Sequence, residues 1–154
     1  MARFKYRMQN ILKLKQKLED QSKMAYANQR RKLTIEEEKE QKLKDEKNRY
    51  EEEGARLRSE KLNVREIMEN IRGVKTMGIL VEEQHKAVER EEEKLEKRRR
   101  ELEKVMKERK AQEKLRERAF RRFIQEENAA EGKVIDELTS YTYGNKRKET
   151  EHEG

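Results

Sequence analysis

The chain contains no proline in its 154 residues. Proline removes a backbone donor and clashes with the preceding helical turn, so its absence suits helices that run for many turns. Only 31% of the residues are hydrophobic, whereas 49% are charged. Such a chain cannot fill a globular interior, but it can form one narrow apolar stripe along a helix. The sequence therefore predicts an all-α protein of long helices.

Apolar residues recur every seven positions in the second half of the chain, at Ile67, Val74, Val81, Val88, Leu95 and Leu102. A sustained seven-residue repeat keeps one seam on one face of a helix, and that seam requires a partner helix. Shorter runs precede it, one from Phe4 to Ala25 and one through Leu43, Tyr50 and Leu57. The two short runs differ in phase, which predicts a stutter between Ala25 and Leu43.

The position of the turn between the helices has two candidates. Asn63 can cap a helix, with Glu66 three residues later, and Gly54 weakens the helix before it. Gly73 and Gly78 mark the alternative turn, but the seven-residue spacing continues through both. A single uninterrupted helix that dimerises is a third possibility, because Leu57, Val64 and Ile71 also keep this spacing.

The preferred fold is a long antiparallel two-helix coiled coil, or helical hairpin, with a flexible C-terminal tail. We predict helix 1 over about 3–57, a turn at 58–62, helix 2 over about 63–131 and a short helix over 133–141. These elements form one domain of residues 1–141, and residues 142–154 are expected to be disordered.

Basic residues concentrate in two stretches of the sequence. Residues 1–32 have ten Lys or Arg against two acidic residues, and residues 94–122 have fourteen against six. A hairpin turning near residue 60 places the two stretches side by side, which favours a partner with an acidic surface. Nucleic acid is a weaker interpretation, because acidic residues interleave both stretches and no stacking aromatics or reading motif accompany them.

The sequence offers no pattern for catalysis, a cofactor or a metal. It has two histidines and no cysteine, so a metal site would need carboxylates, whose spacing shows no pattern. The segment Gly73 to Thr76 resembles the end of a phosphate loop, but the required earlier glycine is absent. We found no signal peptide and no apolar run near the ~18 residues that cross a membrane, so we expect a soluble cytoplasmic protein without enzymatic activity.

Several segments, taken in order, resemble the FliJ family of the flagellar type III export apparatus. The opening from Phe4 to Leu12 has the family's aromatic residue followed by a Tyr-Arg pair, and residues 62–67 resemble the start of its second helix. Segments at 108–118, 126–127 and 136–138 resemble its C-terminal half. The family's aromatic-rich stretch after the start of the second helix is missing, since Asn70, Gly73 and Val74 occupy that region.

This resemblance implies a stalk that couples a hexameric export ATPase to the export gate protein FlhA and that handles export chaperones. It implies that the end carrying both termini enters the ATPase pore, and that the middle contacts FlhA through Leu43, Tyr50, Val81 and His85. We add the basic residues Arg98, Arg99 and Arg100 as candidate ATPase contacts. The implied location is the cytoplasm, peripheral to the inner membrane at the flagellar base. A generic coiled-coil scaffold and the equivalent stalk of a virulence type III system remain alternatives.

Overall fold

The computed structural model describes residues 2–60 and 63–152, with side chains described as far as residue 147. It contains two long helices, α1 (Gln9–Ser59) and α2 (Val64–His152), and the described residues include no strand. Gln29 of α1 hydrogen-bonds to Glu91 of α2, whereas Tyr50, later in α1, hydrogen-bonds to Asn70, earlier in α2. The two helices are therefore antiparallel. The predicted antiparallel two-helix fold is confirmed.

The helices are joined by a short connection whose boundaries enclose the predicted turn. α1 ends at Ser59 and α2 begins at Val64, while residues 61 and 62 of the predicted 58–62 turn lie outside the described residues. The side chain of Asn63 accepts a hydrogen bond from the backbone nitrogen of Glu66 at 3.4 Å, which is the predicted cap. Gly73 and Gly78 lie inside α2, so the alternative turn at 73–78 is absent.

The outer ends of both helices differ from the prediction. α1 begins at Gln9 rather than near residue 3, and residues 2–8 precede it in a non-helical conformation. α2 continues through Gly132 to His152, so residues 133–141 form no separate helix and residues 142–152 are helical. One glycine costs a helix only about 1 kcal/mol, and no proline follows to end it. The flexibility expected of this tail stays a prediction, because helical geometry does not measure motion.

The chain packs as two compact units. Residues 17–106 form unit 2, which contains the turn, and residues 1–16 with 107–154 form unit 1. In unit 2 the seam of α2 follows the predicted seven-residue run from Ile67 to Leu102, all of whose members are buried or half-buried. A second row completes this seam three residues after each of the first four members, at Asn70, Met77, Gln84 and Glu91.

The seam of α1 in unit 2 is more polar than predicted. Its inward positions alternate at spacings of four and three, at Glu19, Ser22, Tyr26, Gln29, Leu33, Glu36, Glu40, Leu43, Lys47, Tyr50, Gly54 and Leu57. Leu43 therefore keeps the phase of Ser22, Gln29 and Glu36, and the predicted stutter is absent. The prediction was wrong because polar residues occupy seam positions, and apolar spacing cannot find them.

In unit 1 the contacts between the two chain segments are a mixture of polar and aromatic. Lys15 forms an ion pair with Glu108 at 2.9 Å, and the Tyr6 hydroxyl donates to the side chain of Gln112 at 3.2 Å. The Phe4 ring lies 5.2 Å from Phe120, edge to face. Residues 133–147 of α2 are all exposed.

Candidate partner-binding surfaces

Tyr50 occupies the seam of unit 2 but is only partly covered. Its side chain packs against Gly73 of α2, where a β-carbon added to the glycine would stand 2.7 Å from the ring. Despite this contact Tyr50 remains 38% exposed. A seam aromatic is ordinarily covered by its partner helix. The small residue opposite thus lets Tyr50 pack on α2 while the residue stays partly exposed.

A second glycine lies beside this contact on the other helix. Asn70 of α2 is 7% exposed, and its amide nitrogen donates to the main-chain carbonyl of Tyr50 at 2.8 Å. Gly54 of α1 leaves room for this side chain, because a β-carbon there would overlap the Asn70 amide oxygen. The sequence suggested only that Gly54 weakens α1 and that Gly73 marks an alternative turn. In the structure each glycine leaves room for a side chain of the opposite helix.

The other three residues expected in the middle surface lie along the same part of unit 2. Leu43 and Val81 are half-buried seam residues, and His85 is exposed. The His85 ring nitrogens lie 3.1 Å from Glu40 of α1 and 3.1 Å from Glu89 of α2. The four residues therefore belong to one stretch of the helix pair, in which Tyr50 and His85 present exposed surface and Leu43 and Val81 mainly contribute packing.

The three arginines expected to contact the ATPase are engaged within α2. Arg98 pairs with Glu101 at 3.1 Å, and Arg99 pairs at 2.5 Å with both Glu96 and Glu103. Arg100 also reaches Glu96, at 3.3 Å. Hydrogen bonding from Arg99 lowers the pKa of Glu96 to about 2, so this carboxylate stays ionised at neutral pH. Local carboxylates therefore offset much of the positive charge of these arginines.

A row of unpaired cations in unit 1 was not singled out by the sequence analysis. These exposed residues make no ion pair within the described part of the chain: Lys107, Lys110, Lys114, Arg118 and Arg122. The carboxylates among them are already engaged, since Glu113 pairs with Arg109 and Glu117 with Arg121. Spacings of three and four place the five cations along one face of α2. Helical spacing in the sequence does not reveal this row, because Lys107 has Glu103, and Arg122 has Glu126, four residues away.

Among the described residues no group of three or more histidines, cysteines or carboxylates could hold a metal ion. No helix in this part of the chain has a stretch apolar enough to span a membrane.

Comparisons with known proteins agree with this architecture. The sequence model described as "Flagellar FliJ protein" matches residues 4–148. No curated protein matches the chain. Among solved structures, a Chlamydia trachomatis protein described as a YscO homolog superimposes with a TM-score of 0.60 at 19% identity. The match covers 95% of this chain and 99% of that one, and at this identity it supports the fold alone.

Proposed function

The chain belongs to the FliJ family, and we propose that it is a non-enzymatic stalk of the flagellar type III export apparatus. Unit 1, which carries both ends of the sequence, inserts into the ring of the export ATPase. The middle of unit 2 contacts the export gate protein FlhA, and export chaperones are further partners. The protein acts in the cytoplasm, peripheral to the inner membrane at the flagellar base.

The observation that carries this proposal is the family match together with the unpaired cations of unit 1. Charges without internal partners repel one another, and an acidic surface relieves that repulsion. An acidic ring would therefore bind more strongly to Lys107, Lys114 and Arg118 than to Arg98, Arg99 and Arg100. The local carboxylates compete for the three arginines. The latter three remain proposed contacts of smaller effect.

The test compares two triple charge reversals that change net charge equally. Changing Lys107, Lys114 and Arg118 to Glu is expected to weaken binding to the purified export ATPase at least tenfold and to reduce its stimulated turnover. Changing Arg98, Arg99 and Arg100 to Glu is the matched control and should weaken binding less. Circular dichroism checks that both variants stay helical. Equal affinity of all three proteins would contradict the proposed contact.

Three further experiments test the alternatives to this proposal. Recovery of virulence secretion components in a pull-down from native cells, with no flagellar component, would place the stalk in that system instead. Tight, sequence-independent DNA binding that falls steeply with added salt would favour a nucleic-acid role. A generic scaffold would leave swimming motility unchanged when the gene is deleted.

A further inference from the structure

Two polar clasps join α1 and α2 inside the seam of unit 2. In each clasp one glutamine amide donates to both the carboxylate and the main-chain carbonyl of one glutamate on the opposite helix. Gln29 of α1 holds Glu91 in this way, reaching its carbonyl at 3.3 Å. Gln84 of α2 holds Glu36, with the carbonyl at 3.0 Å and the carboxylate at 2.5 Å. Each glutamine nitrogen therefore has two acceptors on the same opposing residue.

The clasps are reciprocal. The glutamine belongs to α1 in the first and to α2 in the second, and one heptad separates them on each helix. Val88, which is 5% exposed, lies between the two clasps on α2, and Leu33 lies between them on α1. Exchanging the two helices therefore converts one clasp into the other, and the apolar residues Leu33 and Val88 lie between them.

The apolar seam cannot by itself specify one alignment of the helices. From Ile67 to Leu102 every seventh residue of α2 is isoleucine, valine or leucine. A slip by seven residues would therefore keep an isoleucine, valine or leucine at every position of this row except one end. The apolar contribution of this row would change little, because burial depends on area rather than direction.

The clasps respond differently to such a slip. One heptad in one direction brings Glu36 opposite Glu91, which sets two carboxylates against each other in the seam. One heptad in the other direction brings Gln29 opposite Gln84 and Glu36 opposite Met77. Gln29 is 7% exposed, and a buried amide or carboxylate without its partner is unfavourable. Both slips therefore remove the hydrogen bonds that satisfy these polar side chains in the native alignment.

We propose that the Gln29–Glu91 and Gln84–Glu36 clasps, rather than the apolar row from Ile67 to Leu102, set the register in which this segment of α1 and α2 pairs. Polar residues at coiled-coil seam positions can specify register at a cost in stability. The inference concerns the helix pair itself, so it stands or falls independently of any export partner.

The first experiment removes both clasps by changing Gln29, Glu36, Gln84 and Glu91 to Leu. Register is measured by pulsed electron spin resonance between labels at Lys42→Cys and Lys97→Cys, two exposed positions in a chain without cysteine. Unlabelled protein in excess excludes intermolecular distances. The parent should show one distance, and the clasp-free variant should show additional populations displaced by about 10 Å, the length of one heptad. A single unchanged distance in a folded clasp-free variant would overturn the proposal.

The second experiment keeps the clasp chemistry and exchanges its ends. Gln29→Glu alone places two carboxylates together and should lower the Tm by several degrees. Adding Glu91→Gln should restore most of the loss and the single label distance, because it copies the natural Gln84–Glu36 arrangement. Gln21→Glu, at an exposed position of α1, is the control and should change the Tm little. Failure of Glu91→Gln to restore the Tm would also overturn the proposal.

Discussion

The ring of Tyr50 lies against Gly73, close enough that a β-carbon on the glycine would stand 2.7 Å from Cε1 and 2.9 Å from Cδ1 of the ring. No ordinary side-chain contact is so short, so the ring occupies space that only a glycine leaves. The same contact leaves Tyr50 38% exposed. One aromatic residue thus joins the two helices and contributes to the outer surface of unit 2.

Gly73→Ala is expected to lower stability even though alanine is the better helix former. The gain in helix propensity is about 1 kcal/mol, but the new methyl group must displace the Tyr50 ring, and overpacking typically costs about 1–3 kcal/mol. Gly78→Ala is the matched control, because nothing lies within 4 Å of a β-carbon there. Thermal melts should show a lower Tm for Gly73→Ala and a higher Tm for Gly78→Ala. A rise in both would contradict the described packing.

Tyr50→Ala tests whether this residue is packing, contact or both. Loss of a fully buried aromatic costs about 3–5 kcal/mol, and the partial exposure of Tyr50 predicts a smaller loss of about 1–2 kcal/mol. As a proposed FlhA contact, it should also reduce FlhA binding and swimming motility. Leu33→Ala provides the comparison, because Leu33 is half-buried in the same seam and is not a proposed FlhA contact. A destabilised Tyr50→Ala protein with normal FlhA binding and motility would exclude the contact.

Acidification should destabilise the helix pair. Hydrogen bonds from Gln84 and Gln29 lower the pKa values of Glu36 and Glu91 below the ordinary 4.5. A folded-state pKa below the unfolded value gives stability that is present above about pH 4.5 and lost as the pH falls through the folded value. The Tm should therefore decrease from pH 5 towards pH 2.

The pH dependence has its own control in Gln84→Leu. Removing the amide removes the main cause of the lowered pKa of Glu36. This variant should start from a lower Tm at pH 7 and lose less on acidification than the parent. An identical slope in both proteins would show that Glu36 does not contribute.

Phe4 should hold the non-helical N-terminal segment against α2. Its ring lies 5.2 Å from Phe120 and 5.4 Å from Phe123, and the Arg116 guanidinium carbon is 5.8 Å from its centroid. Because Phe4 is only half-buried, Phe4→Ala should cost about 1–2 kcal/mol, less than for a fully buried ring. In the Phe4→Ala protein this loss should appear as faster amide hydrogen exchange over residues 9–16 and 116–123. The exposed Leu14→Ala control should leave exchange at residues 116–123 unchanged.

Local patterns in the sequence were enough to predict the seam and the cap of α2. The spacing from Ile67 to Leu102 identified its seam, and Asn63 identified its cap, because both signals depend on residues within one helix. The absence of proline accounted for the length of both helices. The basic composition around residues 94–122 was also visible, but composition does not distinguish the paired Arg99 from the unpaired Lys114.

The tertiary structure alone decided the seam of α1 and the role of its polar residues. Gln29 and Glu36 are satisfied in the seam because Glu91 and Gln84 meet them from the other helix, and no pattern within α1 identifies those partners. Gly73 likewise leaves room for the Tyr50 ring only because the two helices pair in this register. The sequence determined that two long helices form and which face of α2 is apolar, since helix formation and amphipathicity are local. Which polar groups are buried depends on partners distant in sequence, because a buried amide or carboxylate is tolerated only where another chain segment satisfies it.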